Sequence, residues 1–171
     1  MAQSRRAGAT PTERGARLAL SSEGTIVMTV AAILKHKGHD IASVAPTARV
    51  SEIVKLLAER RIGAVLVRDA AGQMLGIVSE RDIVRFLARE GAAVVDMTAA
   101  QLMTSTLHTA TPATTVAQAM AQMTKQRVRH LPVLDDGELV GLVSIGDVVL
   151  SRLDQQAQEV DSLRAYVAGS M

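Results

Sequence analysis

The 171 residues include no cysteine and no tryptophan, one phenylalanine and one tyrosine. Without cysteine there is no disulfide, no thiolate metal ligand and no cysteine nucleophile, which suits a reducing compartment such as the cytoplasm. The near absence of aromatics removes the platform on which single-stranded bases stack. No apolar run approaches the ~18 residues that a membrane span needs, and the N-terminus lacks the apolar core of a secretory signal. Neither a nucleic acid nor a membrane is therefore an expected partner. The chain also lacks a G-x-x-x-x-G-K loop, a G-x-S-x-G elbow and an H-E-x-x-H pair, so no enzyme is expected. His36, His39 and His108 have no metal-site spacing, and neither a metal nor a required cofactor is implied.

The charge excess is local. The isoelectric point is about 9.4, yet residues 1–24 carry Arg5, Arg6, Arg14 and Arg17 against Glu13 and Glu23. The remaining residues hold 15 basic and 15 acidic side chains. Residues 1–27 read as a disordered basic tail. Its Arg and Ser content resembles an organelle transit peptide, but its two Glu argue against one, and Met28 would serve as an alternative start.

What is abundant is aliphatic: 48% of the chain is hydrophobic. A core of Val, Leu, Ile, Ala and Met can therefore form. The richest stretch is Leu139–Leu150, where a short apolar run reads as a buried strand ending at Ser144, with Asp147 opening a helix. Met74–Arg85 repeats it, with Gly76, Val78, Ser79 and Asp82 in the same places.

Taken in order, Thr29 caps a short helix carrying Val30, Ile33 and Leu34 and stopped by Gly38. Asp40–Ala45 reads as a strand, Val50–Arg61 as a helix, and Ile62–Val67 and Met74–Val78 as a hairpin turning at Asp69–Gln73. Glu80–Glu90 reads as a helix with Ile83, Val84, Phe86 and Leu87 inward. Thr98 then caps a helix through Met103, Leu107–Ala110 is a strand, and Val116–Gln126 is a helix whose capping box is Thr115 and Gln118. His130–Leu134 and Leu139–Val143 flank an Asp135-Asp136-Gly137 turn, and the last helix runs from Gly146 toward Ala165.

The two halves superimpose at an offset of 66 (Pro46/Pro112, Val50/Val116, Arg61/Arg127, Val67/Val133) and, after the turn, of 65 (Gly72/Gly137, Gly76/Gly141, Ser79/Ser144, Asp82/Asp147). A single one-residue gap, placed in a turn, marks a duplicated fold. The implied class is α/β (α+β): two repeats, 28–91 and 92–150, each a three-stranded mixed sheet with helices, packed as a pseudo-two-fold pair, with a helical extension at 151–171.

Gly76-Ile-Val-Ser79-Glu-Arg-Asp82, Gly141-Leu-Val-Ser144-Ile-Gly-Asp147 and Arg127-Val-Arg-His130-Leu-Pro132-Val together resemble the CBS-domain family, named for cystathionine β-synthase. Tandem copies of that domain form a Bateman module. The resemblance covers Thr29 to Leu150. It implies a regulatory module sensing cellular energy or redox state through AMP, ADP, ATP, NAD(H) or S-adenosylmethionine in clefts between the repeats. It also implies a homodimer and a regulated partner protein of unknown identity. The alternative is a structural or interaction module whose clefts stay empty.

Ser144 and Asp147, like Ser79 and Asp82, fit a helix-capping box. The same geometry suits a ligand: a carboxylate beside helix N–H groups can accept both hydroxyls of a ribose, and the serine and helix terminus can meet phosphate. The resemblance assigns the ribose to Asp147. Arg127, Arg129 and His130 could clamp a di- or triphosphate or be solvated arginines and a satisfied histidine. The first repeat has Arg61, Gly63 and Ala64 at those places, so the Asp147 cleft is expected to be the better anion site and the Asp82 cleft weaker or empty. Arg81 either reaches a phosphate near the module centre or lies solvated, and Glu80 beside it would repel one. The resemblance also implies that the backbone of Thr109 and Ala110 meets an adenine edge. Beyond the repeat, Leu150, Leu153, Ala157, Val160, Leu163 and Val167 form a stripe that would dock a partner, pair with a second copy or pack back on the module.

Overall fold

The computed structural model describes residues 19–20 and 26–169. A two-residue ladder, β1 (Ala19–Leu20) against antiparallel β2 (Ile26–Val27), falls in the stretch read as structureless. Residues 1–18 and 21–25, with the transit-peptide reading, lie outside the described residues. The chain continues through α1 (Val30–Lys37), β3 (Ser43–Val44), α2 (Val50–Arg60), β4 (Ala64–Arg68), β5 (Met74–Ser79), α3 (Glu80–Glu90) and a 3-10 turn at Gly91–Asp96. α4 (Ala99–Leu102), α5 (Val116–Gln126), β6 (His130–Asp135), β7 (Glu138–Ser144) and α6 (Ile145–Gly169) complete it.

The duplication is visible in the backbone. Arg61 and Arg127 both take left-handed conformations, φ 52° and 54°, at the C-termini of α2 and α5. Both hairpins bulge at the same place, between Val67 and Arg68 and between Val133 and Leu134. The second turn is the tighter, with Asp136 (φ 48°) and Gly137 (φ 85°) both positive, as a two-residue hairpin loop requires. The halves differ in their third strand. β3 runs parallel to β4 over two residues, whereas the expected strand Leu107–Ala110 is reduced to one parallel bridge, Ala110 to Val133. The chain turns directly afterwards, where Thr111 donates its amide to Thr114 Oγ1 at 2.9 Å.

The two cores are interlocked. Val30, Ile33 and Leu34 of α1 pack with Val116, Ala119, Met123, Leu131, Val133, Val143 and Val148 of the second half. Ala99 and Leu102 of α4 pack with Val50, Ile53, Leu57, Val65, Val67 and Val78 of the first. Helix starts explain the exchange, because the first amides of a helix lack an intrahelical acceptor. Val30 N–H donates to Thr114 O (2.8 Å) and Val116 N–H to Met28 O (3.0 Å). Likewise Val50 N–H donates to Met97 O (2.9 Å) and Ala99 N–H to Ala48 O (2.8 Å). Each half is thus completed by the short helix that precedes the other in the chain.

Val84 and Leu87 correct the expectation for α3: they are 63% and 47% exposed, and the helix turns Ile83 and Phe86 to the core. Val94, in the 3-10 turn, joins that core. On α6, Leu150, Leu153 and Val160 remain exposed, so these three do not pack back on the module. The side chains of Leu163 and Val167 lie outside the description.

The short helices also press on the hairpins. A Cβ on Gly76 would stand 2.8 Å from Met103 Sδ and 2.9 Å from the Thr104 carbonyl oxygen. Gly76→Ala is therefore expected to destabilise the protein by about 1–3 kcal/mol, the usual cost of overpacking. The midpoint of urea unfolding would show it, and an unchanged midpoint would mean that Thr104 does not seal this edge.

Candidate functional site

The polar pair at each strand–helix junction forms a complete capping box. In the second half, Asp147 Oδ2 accepts from Ser144 N–H (2.7 Å) and from Ser144 Oγ (2.8 Å), while Asp147 N–H donates to Ser144 Oγ (3.2 Å). Asp82 Oδ2 makes the matching bonds to Ser79 at 2.9 and 2.6 Å. The capping interpretation and the ligand interpretation are compatible at Asp147, because all its bonds converge on Oδ2. Its Oδ1 accepts no hydrogen bond among the described residues.

A third donor reaches the same oxygen. Lys37, the last residue of α1, places Nζ 2.6 Å from Asp147 Oδ2 and 3.2 Å from Leu142 O. His39 Nδ1 lies 2.8 Å from Val140 O and can donate to it. The two side chains tie the end of α1 to β7. No local sequence signal marks this role for Lys37, because its partner lies 110 residues away in the chain. A cavity of about 710 Å³ opens between α1 and α6, with His36 and Lys37 on one wall and Asp147, Ser151 and Asp154 on the other. Its size is in the range of small-molecule sites.

Burial alone would push the Asp147 carboxyl up, but hydrogen bonds from Lys37 and Ser144 outweigh it and hold the group below its ordinary 3.8. His130 is half-buried across from Gly63, where an added Cβ would meet its ring at 3.2 Å. Desolvation, then the nearby Lys37 charge, lowers the His130 pKa from 6.5, against opposing pulls from Asp147 and Asp82. His130 thus lies within electrostatic reach of both junction carboxylates.

The sequence profile of the CBS domain matches residues 29–89 and 99–154. The chain belongs to the CBS-domain family. A solved CBS-domain containing protein from Agrobacterium tumefaciens is 40% identical over 74% of this chain and 94% of its own, with a TM-score of 0.72. The CBS domain pair of protein MJ0100, solved in complex with 5′-methylthioadenosine and S-adenosyl-L-methionine, is 27% identical over 74% of this chain and 98% of its own, with a TM-score of 0.63. Among curated proteins, the mitochondrial CBS domain-containing protein CBSX3 of Arabidopsis thaliana is 36% identical over 70% of this chain. The match spans 60% of that relative, and 38% of an uncharacterized 33.4 kDa protein from Thermofilum pendens.

The remaining candidate residues are distributed around the two CBS repeats. Arg127 and Arg129 are exposed, and neither they nor His130 line the cavity at Asp147. Arg81 reaches across the repeats, with Nη1 3.0 Å from the Arg127 carbonyl oxygen. Ala110 is buried, and its amide and carbonyl both bond to β6, to Pro132 O and from Leu134 N–H, at 2.9 Å each. Thr109 O accepts from Gln122 Nε2 at 3.1 Å. In the first repeat the Asp82 side chain is 12% exposed against 22% for Asp147, and Arg85 lies 3.9 Å from its Oδ1. Among the described residues there is no metal-ligating cluster, and no helix is long and apolar enough to cross a membrane.

Both pKa shifts have a definite sign. Asp147 binds its proton more weakly when folded, so its contribution to stability is present above the unfolded value and is lost as pH falls through the lower folded value. Urea midpoints of wild type and Asp147→Asn are expected to converge as the pH drops below about 4. His130 also binds its proton more weakly when folded, so stability rises with pH between its lowered folded value and 6.5 and is full above that. His130→Gln is expected to flatten this slope, and an unchanged slope would show that His130 titrates normally.

Proposed function

We propose that the chain is a regulatory module that binds an adenosine-containing nucleotide at Asp147 and passes occupancy to a partner protein. The observation that carries this reading is the Asp147 carboxylate, fixed through Oδ2 by its own helix cap and unbonded at Oδ1, on the wall of a cavity of about 710 Å³. A carboxylate so held can accept the two hydroxyls of a ribose. The adenosine compounds in the MJ0100 complex support it. AMP, ADP, ATP and NAD(H) are the ligand classes proposed, with the Ser144 hydroxyl as a candidate phosphate contact and Arg127, Arg129 and His130, which stand outside the cavity lining, as candidates only for the far end of a di- or triphosphate. Thr109 and Ala110 remain a candidate adenine edge only through backbone groups not already bonded. Ser79, Arg81 and Asp82 would form the weaker second cleft. The module acts without a catalytic step and in the cytoplasm. It works as a homodimer, for which the exposed apolar residues of α3 and α6 offer a face.

Thermal unfolding with millimolar AMP, ADP, ATP, NAD(H), S-adenosylmethionine and 5′-methylthioadenosine tests the reading, since a ligand that binds only the folded state raises the melting temperature. A rise of several degrees with at least one is expected. No rise with any would favour the structural module with empty clefts, a reading to which the Lys37–Asp147 pair lends some support.

A further inference from the structure

We propose that Lys37 is the residue that sets ligand specificity at Asp147, selecting adenosine compounds with a negative 5′ group over neutral ones. The inference rests on the nucleotide reading above and sharpens it.

Asp147 Oδ2 accepts from three donors, Ser144 N–H, Ser144 Oγ and Lys37 Nζ. A carboxylate oxygen has about two lone-pair sites, so Oδ2 is already crowded. A ribose diol brings two further donors, and Oδ1 offers the free positions. Bridging both carboxylate oxygens requires one donor to leave Oδ2. Ser144 cannot leave without breaking the cap, since its Oγ also accepts from Asp147 N–H and its backbone lies in the β6–β7 ladder opposite His130. Lys37 can: it ends α1, its side chain is 39% exposed, and its flexible stem carries a single charged tip.

Comparison of the two repeats shows the same asymmetry. Ile77 and Leu142 occupy equivalent places on the outer strands of the hairpins. Ile77 is sealed by two backbone bonds with Thr104, at 2.9 and 3.1 Å. Leu142 O is instead covered by the Lys37 ammonium at 3.2 Å. A side chain that can turn away therefore stands in the second repeat where fixed backbone stands in the first.

Displacement leaves the ammonium without its carboxylate. A phosphate on the incoming ligand supplies a new partner, whereas a neutral ligand does not. AMP and 5′-methylthioadenosine share the adenosine and its diol and differ in the 5′ substituent, so the ratio of their affinities isolates the effect.

The test is isothermal titration of both ligands into the full chain, as wild type, Lys37→Met and Lys37→Arg, with Lys37→Gln as a second neutral variant. Wild type is expected to bind AMP about tenfold or more tightly than 5′-methylthioadenosine, the scale of one charge-assisted bond. Lys37→Met and Lys37→Gln are expected to bring the ratio close to one, with the neutral ligand bound no more weakly than before, and Lys37→Arg to restore most of it. Equal affinities in wild type would overturn the inference alone, as would a ratio unchanged in the neutral variants, the outcome if Asp154 takes up the released ammonium. Failure of both ligands to bind wild type would overturn the nucleotide reading together with it.

Discussion

Asp147→Ala is expected to weaken binding of an adenosine nucleotide by roughly 30- to 1,000-fold, while Asp82→Ala leaves it within about threefold. Two hydroxyl bonds to a charged acceptor are together worth about 2–4 kcal/mol. Both substitutions remove a capping box at a strand–helix junction, so both cost the fold a similar ~1 kcal/mol. The difference between them is therefore a difference in ligand contact and not in stability. It reflects the surroundings: the Asp147 carboxylate is the more exposed of the two and stands on the wall of the cavity between α1 and α6. Titration calorimetry below both melting temperatures measures it. Equal losses in the two variants would mean that both clefts bind the ligand alike.

Leu34→Ala is expected to destabilise the protein by about 2–5 kcal/mol, the usual range for emptying a buried leucine site. Leu34 is 3% exposed and would be within 2.5 Å of a Cβ on Gly141, which shows how closely α1 sits on β7. The location of the damage is the sharper prediction. Although α1 precedes the first repeat in the chain, hydrogen exchange is expected to accelerate first in β6 and β7, and less in β4 and β5. The reverse order would contradict the interlocked cores. Because each repeat is completed by the helix ahead of the other, unfolding in denaturant should remain a single transition.

Much of this was legible in the sequence where the cause was local. The Thr115–Gln118, Ser79–Asp82 and Ser144–Asp147 caps lie within one helical turn, and their spacing alone identifies them. The duplicated hairpin follows from Gly76/Gly141 and the two turn glycines. What the sequence could not show depends on which helix meets which sheet. The partner of α1 is chosen by Val30–Thr114 and Val116–Met28 backbone bonds, which leave no mark on side-chain pattern. Lys37 is invisible for the same reason. The α3 stripe was legible as amphipathic but not in phase: Val84 and Leu87 fall on its outer edge because the buried side is set by Asp82, Ile83 and Phe86. The weak third strand of the second repeat follows from the turn after Ala110, which the Pro112 stop signalled only in part.

The central claim is that the interlocked CBS repeats leave Oδ1 of the Asp147 carboxylate open to a sugar hydroxyl while Oδ2 holds the cap and Lys37. A structure determined with AMP bound tests it most directly. The account predicts both ribose hydroxyls within hydrogen-bond distance of the Asp147 carboxylate, the Ser144 cap intact and Lys37 turned toward phosphate. An AMP found elsewhere, with Lys37 still on Asp147 Oδ2, would contradict it.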